Sequence, residues 1–151
     1  PVVSKAFDVL KTYGVPFEVH VFSAHRTPAE AKEFTENAEA NGFGVIIAAA
    51  GMAAHLAGAI AANTVLPVIG IPVKNDTLSG MDALLSTVQM PTGIPVATVA
   101  INGAGNAALL SVQILALIDK ELSDKLKEDR AKNREKILAK NADVTAKYSS
   151  L

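Results

Sequence analysis

The sequence predicts an α/β fold, a parallel sheet with helices on both faces, and three observations predict it. Strand-like and helix-like patterns alternate four times along the chain. Two of the strand patterns, "GVIIAAA" (44–50) and "LPVIGIPV" (66–73), are short continuous apolar runs, as expected of strands buried on both faces. No hairpin signal joins successive strands, so each connection reads as a helical crossover.

Each element has its own signal. Val3, Ala6, Phe7 and Leu10 recur at helical spacing, and Gly14 with Pro16 supplies a stop. "FEVHVF" (17–22) alternates and is rich in β-formers, which predicts a strand. Thr27, Pro28 and Glu30 offer the next helix a cap, a first-turn proline and a capping-box partner, and Asn41-Gly42 ends it. After the strand at 44–50 a small-residue helix runs through "AAHLAGAIAAN". The strand at 66–73 leads through a polar loop to a helix in "MDALLSTVQM". "IPVATVAI" (94–101) predicts the last strand, and "GAGNAALLSVQILALIDKEL" a long helix after it. Folds of this kind open with a strand, whereas this chain opens with a helix. A first strand and its loop are therefore expected to be missing from the N-terminus. The prediction is a single domain over 1–151 in three-layer, flavodoxin-like form, with a core at 1–118 and a charged helical tail at 119–151. In that tail Glu121/Lys125 and Glu128/Lys132 stand at i,i+4 spacing.

Composition narrows the function classes. At 151 residues the chain can bury one sizeable core, and with half its residues hydrophobic but only 5% aromatic, that core is built from Ala, Val, Ile and Leu. A net charge of −1 carries no basic surplus, so nucleic acid and anionic membranes are not expected partners. The absence of Cys excludes a disulfide framework and thiolate metal sites and suits a reducing cytoplasm. The apolar run "AALLSVQILALI" is too short to span a bilayer and continues into charge.

Ligands of open parallel sheets bind beyond the carboxyl ends of the strands. Ser23-Ala24-His25-Arg26 stands there after the first visible strand, Gly51 to His55 after the second, Lys74 to Gly80 after the third and Asn102 to Asn106 after the fourth. A proton carrier and a permanent cation in one turn, just ahead of a helix N-terminus, suit a phosphorylated or carboxylated small molecule. His25 is the candidate acid–base; the alternative is a satisfied loop histidine. Arg26 would bind an anion or pair with a surface carboxylate. His55, among alanines, fits a buried hydrogen-bonded role as well as a site role, and His20 in a strand interior reads as structural. Gln89 to Gly93 fits a helix end with a proline stop. Gly103-Ala104-Gly105-Asn106-Ala107-Ala108 matches the G-x-G-x-x-A form of a dinucleotide loop, but the acidic residue expected about 20 positions on falls in helix, and tight packing explains the small residues equally well. Metal-binding spacings, a nucleophile elbow and a P-loop are absent.

"SAHRTP" (23–28), "AAGMAAHLAG" (49–58), "LPVIGIPV" (66–73), "LSGMDALLSTVQMPTGIPVATVAI" (78–101) and "NAALLSVQILA" (106–116) together strongly resemble the PurE family of purine biosynthesis. The resemblance reaches from the start of the chain to about Asp119, and Arg26 with the His55 block resembles its class I, bacterial-type branch. The resemblance implies a mutase without metal or cofactor. The carbamate of 5-aminoimidazole ribonucleotide would lose carbon dioxide, which the ring carbon captures to give 4-carboxy-5-aminoimidazole ribonucleotide. His25 would be general acid and base. Arg26 would hold the phosphate end, and Ser23, Ala24, Ala50, Gly51 and Met52 would line the pocket, with His55 a further candidate. Ala50 to Leu56 would form a dry wall that retains carbon dioxide. The resemblance also implies a homo-oligomer, an octamer with sites shared between subunits. Three departures accompany it. The family's first strand with its glycine-serine-x-serine-aspartate loop, which supplies phosphate and ribose contacts, is not in this sequence. Met52 stands where many members have glycine, and Ala57 where proline is frequent. The alternatives are direct carboxylation of the aminoimidazole ribonucleotide, a nucleotide-binding module using Gly103 to Ala108, and a catalytically dead oligomer-forming subunit.

Overall fold

The computed structural model describes residues 1–149. Residues Pro1 to Leu115 form one compact unit, and the chain from Ala116 on forms a second. The first carries a parallel three-stranded sheet of order β1-β2-β3, made of β1 (Ile46–Gly51), β2 (Val68–Val73) and β3 (Ala97–Thr98). Ile46 pairs with Val68 and Gly51 with Val73, so β1 and β2 end level.

β2 is central, and its first five residues are all buried. One face meets α3 (Leu56–Ala61) and α4 (Met81–Val88). There Ile46, Ala48 and Val68 pack with Ala57, Ile60, Ala61 and with Ala38 of α2 (Pro28–Ala38), edged by Phe34, Phe43, Leu56, Leu66, Ile94 and Val96. Gly70 is required on this face: a Cβ there would lie 2.4 Å from Thr87 Cγ2 and 3.0 Å from Val96 Cγ1. Ile69 and Ile71 point the other way by strand alternation and are fully buried. α5 (Ala104–Leu115) also packs on β1 and β2. α5 in turn carries α1 (Ser4–Tyr13); Ala104, Ala107, Ala108, Ser111 and Val112 of α5 and Ala6, Leu10 and Tyr13 of α1 are buried. Ala104, Ala107 and Ala108 are fully buried, so much of this core is filled by small side chains rather than aromatics.

Three elements differ from the sequence expectation. Residues 17–22 form no strand. A strand is a paired structure, and the backbone here makes no hydrogen bond to the sheet among the described residues. The alternation survives in the side chains: His20 stacks on Phe22 and against Phe34, Phe17 stacks on Phe7 of α1, and Val21 is 94% exposed. The last strand shrinks to Ala97–Thr98, because Pro95 carries no N–H and the Ile94 amide turns back to the Pro91 carbonyl. Finally, the long helix expected from Gly103 through Leu122 is two helices. α5 stops at Leu115, and α6 (Lys120–Tyr148) starts afresh after Asp119, whose extended backbone and side-chain bond to the Leu122 amide (3.1 Å) make it an N-cap.

α6 is held along its own surface by Glu121–Lys125 and Glu128–Lys132 pairs at 2.7 Å, a Lys127–Asp124 contact at 3.7 Å and a short Lys120–Asp124 bond. No helix among the described residues is long and apolar enough to cross a membrane.

Candidate active site

The Ser23–Thr27 turn is tied internally. The Thr27 amide donates to the Ser23 carbonyl (2.9 Å), and the Ser23 amide donates to Thr27 Oγ1 (2.7 Å). Ser23 Oγ accepts from the amides of His25 (3.3 Å) and Arg26 (3.2 Å). This differs from the capping box expected of Thr27 and Glu30. Thr27 is the N-cap of α2, but its side chain caps no helix amide, since the hydroxyl is already engaged with Ser23. The threonine closes the histidine turn instead. Ser23 likewise turns its oxygen inward, while the side chains of His25 and Arg26 are left at the surface.

A second turn leaves the end of β1. Ala50 lies opposite Pro72 and Gly51 opposite Val73, where a Cβ on Gly51 would meet the Val73 carbonyl at 3.2 Å. Met52 has φ 57, a left-handed conformation unfavourable for a residue with a side chain, and is 67% exposed. The chain then turns at Ala53, whose carbonyl accepts from the His55 amide (2.9 Å), and His55 becomes the N-cap of α3.

The two turns meet. His25 Nε2 lies 2.8 Å from His55 Nδ1, with the rings nearly perpendicular at 74° and their centroids 4.9 Å apart. Of these two nitrogens one donates and one accepts, so the contact couples the tautomers of the rings. His25 Nδ1 remains available to a ligand.

The loops after β2 and β3 share the same rim. The Lys74 amide donates to Asn102 Oδ1 (2.9 Å), and the Asn102 amide to the Pro72 carbonyl (2.8 Å). Asn75 Oδ1 accepts from the amides of Thr77 and Leu78, and its Nδ2 donates to Asp82 Oδ2 (2.8 Å); Asp82 Oδ1 is buried without a hydrogen-bond partner among the described residues. Neither Arg26 nor Lys74 forms an ion pair among the described residues, so both cations are available to an anion. No group of three or more His, Cys, Asp or Glu side chains converges among the described residues.

The candidates named from sequence divide accordingly. His25 and His55 are in contact, and Arg26 and Ser23 belong to the same turn as His25. Ala50, Gly51 and Met52 form the turn leading to His55. Ala24 is half-buried within the His25 turn. His20 lies apart, bonded to Glu18 at 3.2 Å and stacked on Phe22. In the Gly103–Ala108 stretch, Ala104, Ala107 and Ala108 are fully buried, and a Cβ on Gly103 would strike the Ala100 carbonyl at 2.7 Å, so packing accounts for these small residues. Ser86, missed from sequence, touches the site from α4: its Oγ accepts from the Ala54 amide at 3.0 Å. The cue was weak, a lone serine in an apolar helix.

Comparison with known proteins adds four findings. The AIR carboxylase family (AIRC) matches residues 1–136. The N5-carboxyaminoimidazole ribonucleotide mutase of Pyrococcus horikoshii is 56% identical over 127 residues, covering 84% of this chain and 72% of that one. The phosphoribosylaminoimidazole carboxylase of Saccharomyces cerevisiae is 52% identical over 140 residues, which are 93% of this chain and 24% of the yeast protein. Among solved structures, Treponema denticola PurE superposes with a TM-score of 0.83 at 29% identity, covering 93% of this chain and 88% of that one.

Proposed function

The chain belongs to the AIR carboxylase family, and from that premise we propose that it is a mutase of purine biosynthesis. It converts the carbamate of 5-aminoimidazole ribonucleotide into 4-carboxy-5-aminoimidazole ribonucleotide. The observation that carries this reading is the His25–His55 contact on a rim with an unpaired arginine. The mutase name of the Pyrococcus horikoshii relative supports it.

The chemistry follows from what these residues can do. The carbamate C–N bond breaks, carbon dioxide leaves, and the electron pair stays on nitrogen, which takes a proton from His25. The ring carbon next attacks the retained carbon dioxide, forming the C–C bond. The tetrahedral carbon returns its proton to His25, so atoms and charge balance over the cycle and no co-reactant is consumed. An imidazole can give and take a proton within one turnover, which a carboxylate or lysine does poorly near neutrality. Arg26 binds the phosphate end as a charge-assisted donor. Ser23 shapes the turn, Ala24, Ala50, Gly51 and Met52 line the pocket, and buried Ala54 and Ala57 dry its wall.

The carbamate substrate supplied to the protein in bicarbonate-free buffer is expected to yield the carboxylated ring, followed by ultraviolet absorbance. His25→Asn is expected to abolish turnover while leaving secondary structure and assembly intact; normal turnover in that variant removes His25 from the reaction. The name of the yeast relative supports a second reading, direct carboxylation of the aminoimidazole ribonucleotide. A rate that rises with added bicarbonate selects it over the first.

We further propose that the protein works as a homo-oligomer, an octamer with shared sites. His25, Gly51, Met52 and His55 are all exposed on the isolated chain, whereas a pocket that must retain carbon dioxide needs a cover. Leu78, Met81, Leu85 and Val88, at spacings of three and four, leave an apolar stripe beside that rim.

A further inference from the structure

The turn that presents His55 has little to hold it from within. Met52 is in a left-handed conformation, Gly51 precedes it, and α3 behind it is only six residues long. What fixes the turn comes from a different helix. Ser86 lies in α4, and its hydroxyl donates to the Asp82 carbonyl (2.6 Å) one turn earlier, which aims the oxygen lone pairs outward. That oxygen accepts from the Ala54 amide at 3.0 Å; the carbonyls of Met52 and Ala83 lie at 3.4 Å. Ala54 is 1% exposed, so its N–H has no access to water and depends on this acceptor. Ala54 immediately precedes His55, and a small rotation of the turn moves the imidazole off His25.

We propose that Ser86 is a positioning residue of the reaction: by accepting from Ala54 it anchors the Gly51–His55 turn and so fixes the His25–His55 contact and the tautomers of both rings. This rests on the mutase reading for its consequence in turnover, but not for its consequence in the histidine pair. The hydroxyl acts through the backbone and reaches no substrate atom. The Asp82 carbonyl serves as its anchor, so the rigidity of α4 is transmitted to the site.

The test uses the full-length chain and has two readouts. The chain contains three histidines, and only His20 lies outside the site. In nitrogen-15 spectra of the imidazole rings, His25 and His55 of the wild type are expected to show complementary fixed tautomers. Ser86→Ala is expected to average both patterns and leave His20 untouched, with kcat falling about tenfold and KM staying within about twofold. Ser86→Cys, which keeps the size but offers a poor acceptor, is expected to go the same way even if the alanine variant does not fold. Ser86→Thr, which keeps the hydroxyl, is expected to restore both readouts. Unchanged His25 and His55 spectra in the alanine or cysteine variant overturn the proposal, as does a folded threonine variant that restores neither. A wild-type protein without mutase turnover overturns the functional reading alone, because the ring-nitrogen spectra still decide the role of Ser86.

Discussion

Arg26 illustrates how few degrees of freedom the candidate site leaves to its side chains. Its amide is fixed on Ser23 Oγ, so the guanidinium pivots from a held backbone and meets no carboxylate among the described residues. Arg26→Ala is expected to raise KM about tenfold to a hundredfold with a smaller change in kcat. Arg26→Lys is expected to recover only part of the loss, since a point charge replaces a two-pronged donor. Steady-state kinetics at low and high salt check both, and a wild-type KM indifferent to salt argues against a phosphate contact. At this scale much of the site was legible. His25 and Arg26 are conspicuous because a titratable ring and a cation interrupt an apolar run just before a helix-starting proline. Ser86 was not legible, since its role lies in an amide 32 positions away in sequence. Thr27 was misread because a threonine ahead of a helix has two possible acceptors and donors, and only the folded turn shows which it takes.

Among the elements, α6 is the one whose stability lies on its surface. Its N-cap is Asp119, and the Lys120 ammonium hydrogen-bonded to Asp124 holds that carboxyl below its usual 3.8. A depressed carboxyl stabilises the folded helix above its ordinary value, and the contribution is lost as pH falls through the lowered one. At the alkaline side the Glu128 carboxylate, hydrogen-bonded to Lys132, raises that ammonium above its usual 10.5, so its contribution persists at neutral pH and is lost as pH rises through the raised value. Protection factors along α6, the intrinsic exchange rate divided by the observed rate at each pH, are therefore expected to be highest between these limits and to fall in acid, with the acid effect reduced in Asp124→Asn and in high salt. Residue-resolved hydrogen exchange checks it; the same acid sensitivity in the Asn variant would assign the effect to other carboxylates. The i,i+4 pairing was visible in sequence because it depends on helical spacing alone. The break between α5 and α6 was not visible in the apolar pattern, which runs on to Ile118, and only the Asp119 cap ends it. The segment 17–22 kept its alternation but not its strand, because alternation belongs to a side-chain pattern whereas strand pairing needs a neighbour.

For the molecule as a whole, assembly is the property that the single chain leaves to be tested. Leu85→Glu places a charge in the middle of the stripe formed by Leu78, Met81, Leu85 and Val88, at a position half exposed in the single chain. Native mass spectrometry is expected to show an octamer for the wild type and smaller species for this variant, and turnover is expected to fall alongside. A monomeric wild type would set aside the octamer and leave the site open to water. The sequence by itself determined the α/β class, the strands β1 and β2, the crossover helix between them and the residue types on the ligand rim. These follow from periodicity, capping and chemistry that act over a few neighbouring positions. The tertiary structure alone decided that His25 meets His55, that Ser86 bonds the turn leading to His55, that residues 17–22 pair with no strand among the described residues and that the last strand is short. Those outcomes depend on distances between segments far apart in the chain, which no local pattern encodes.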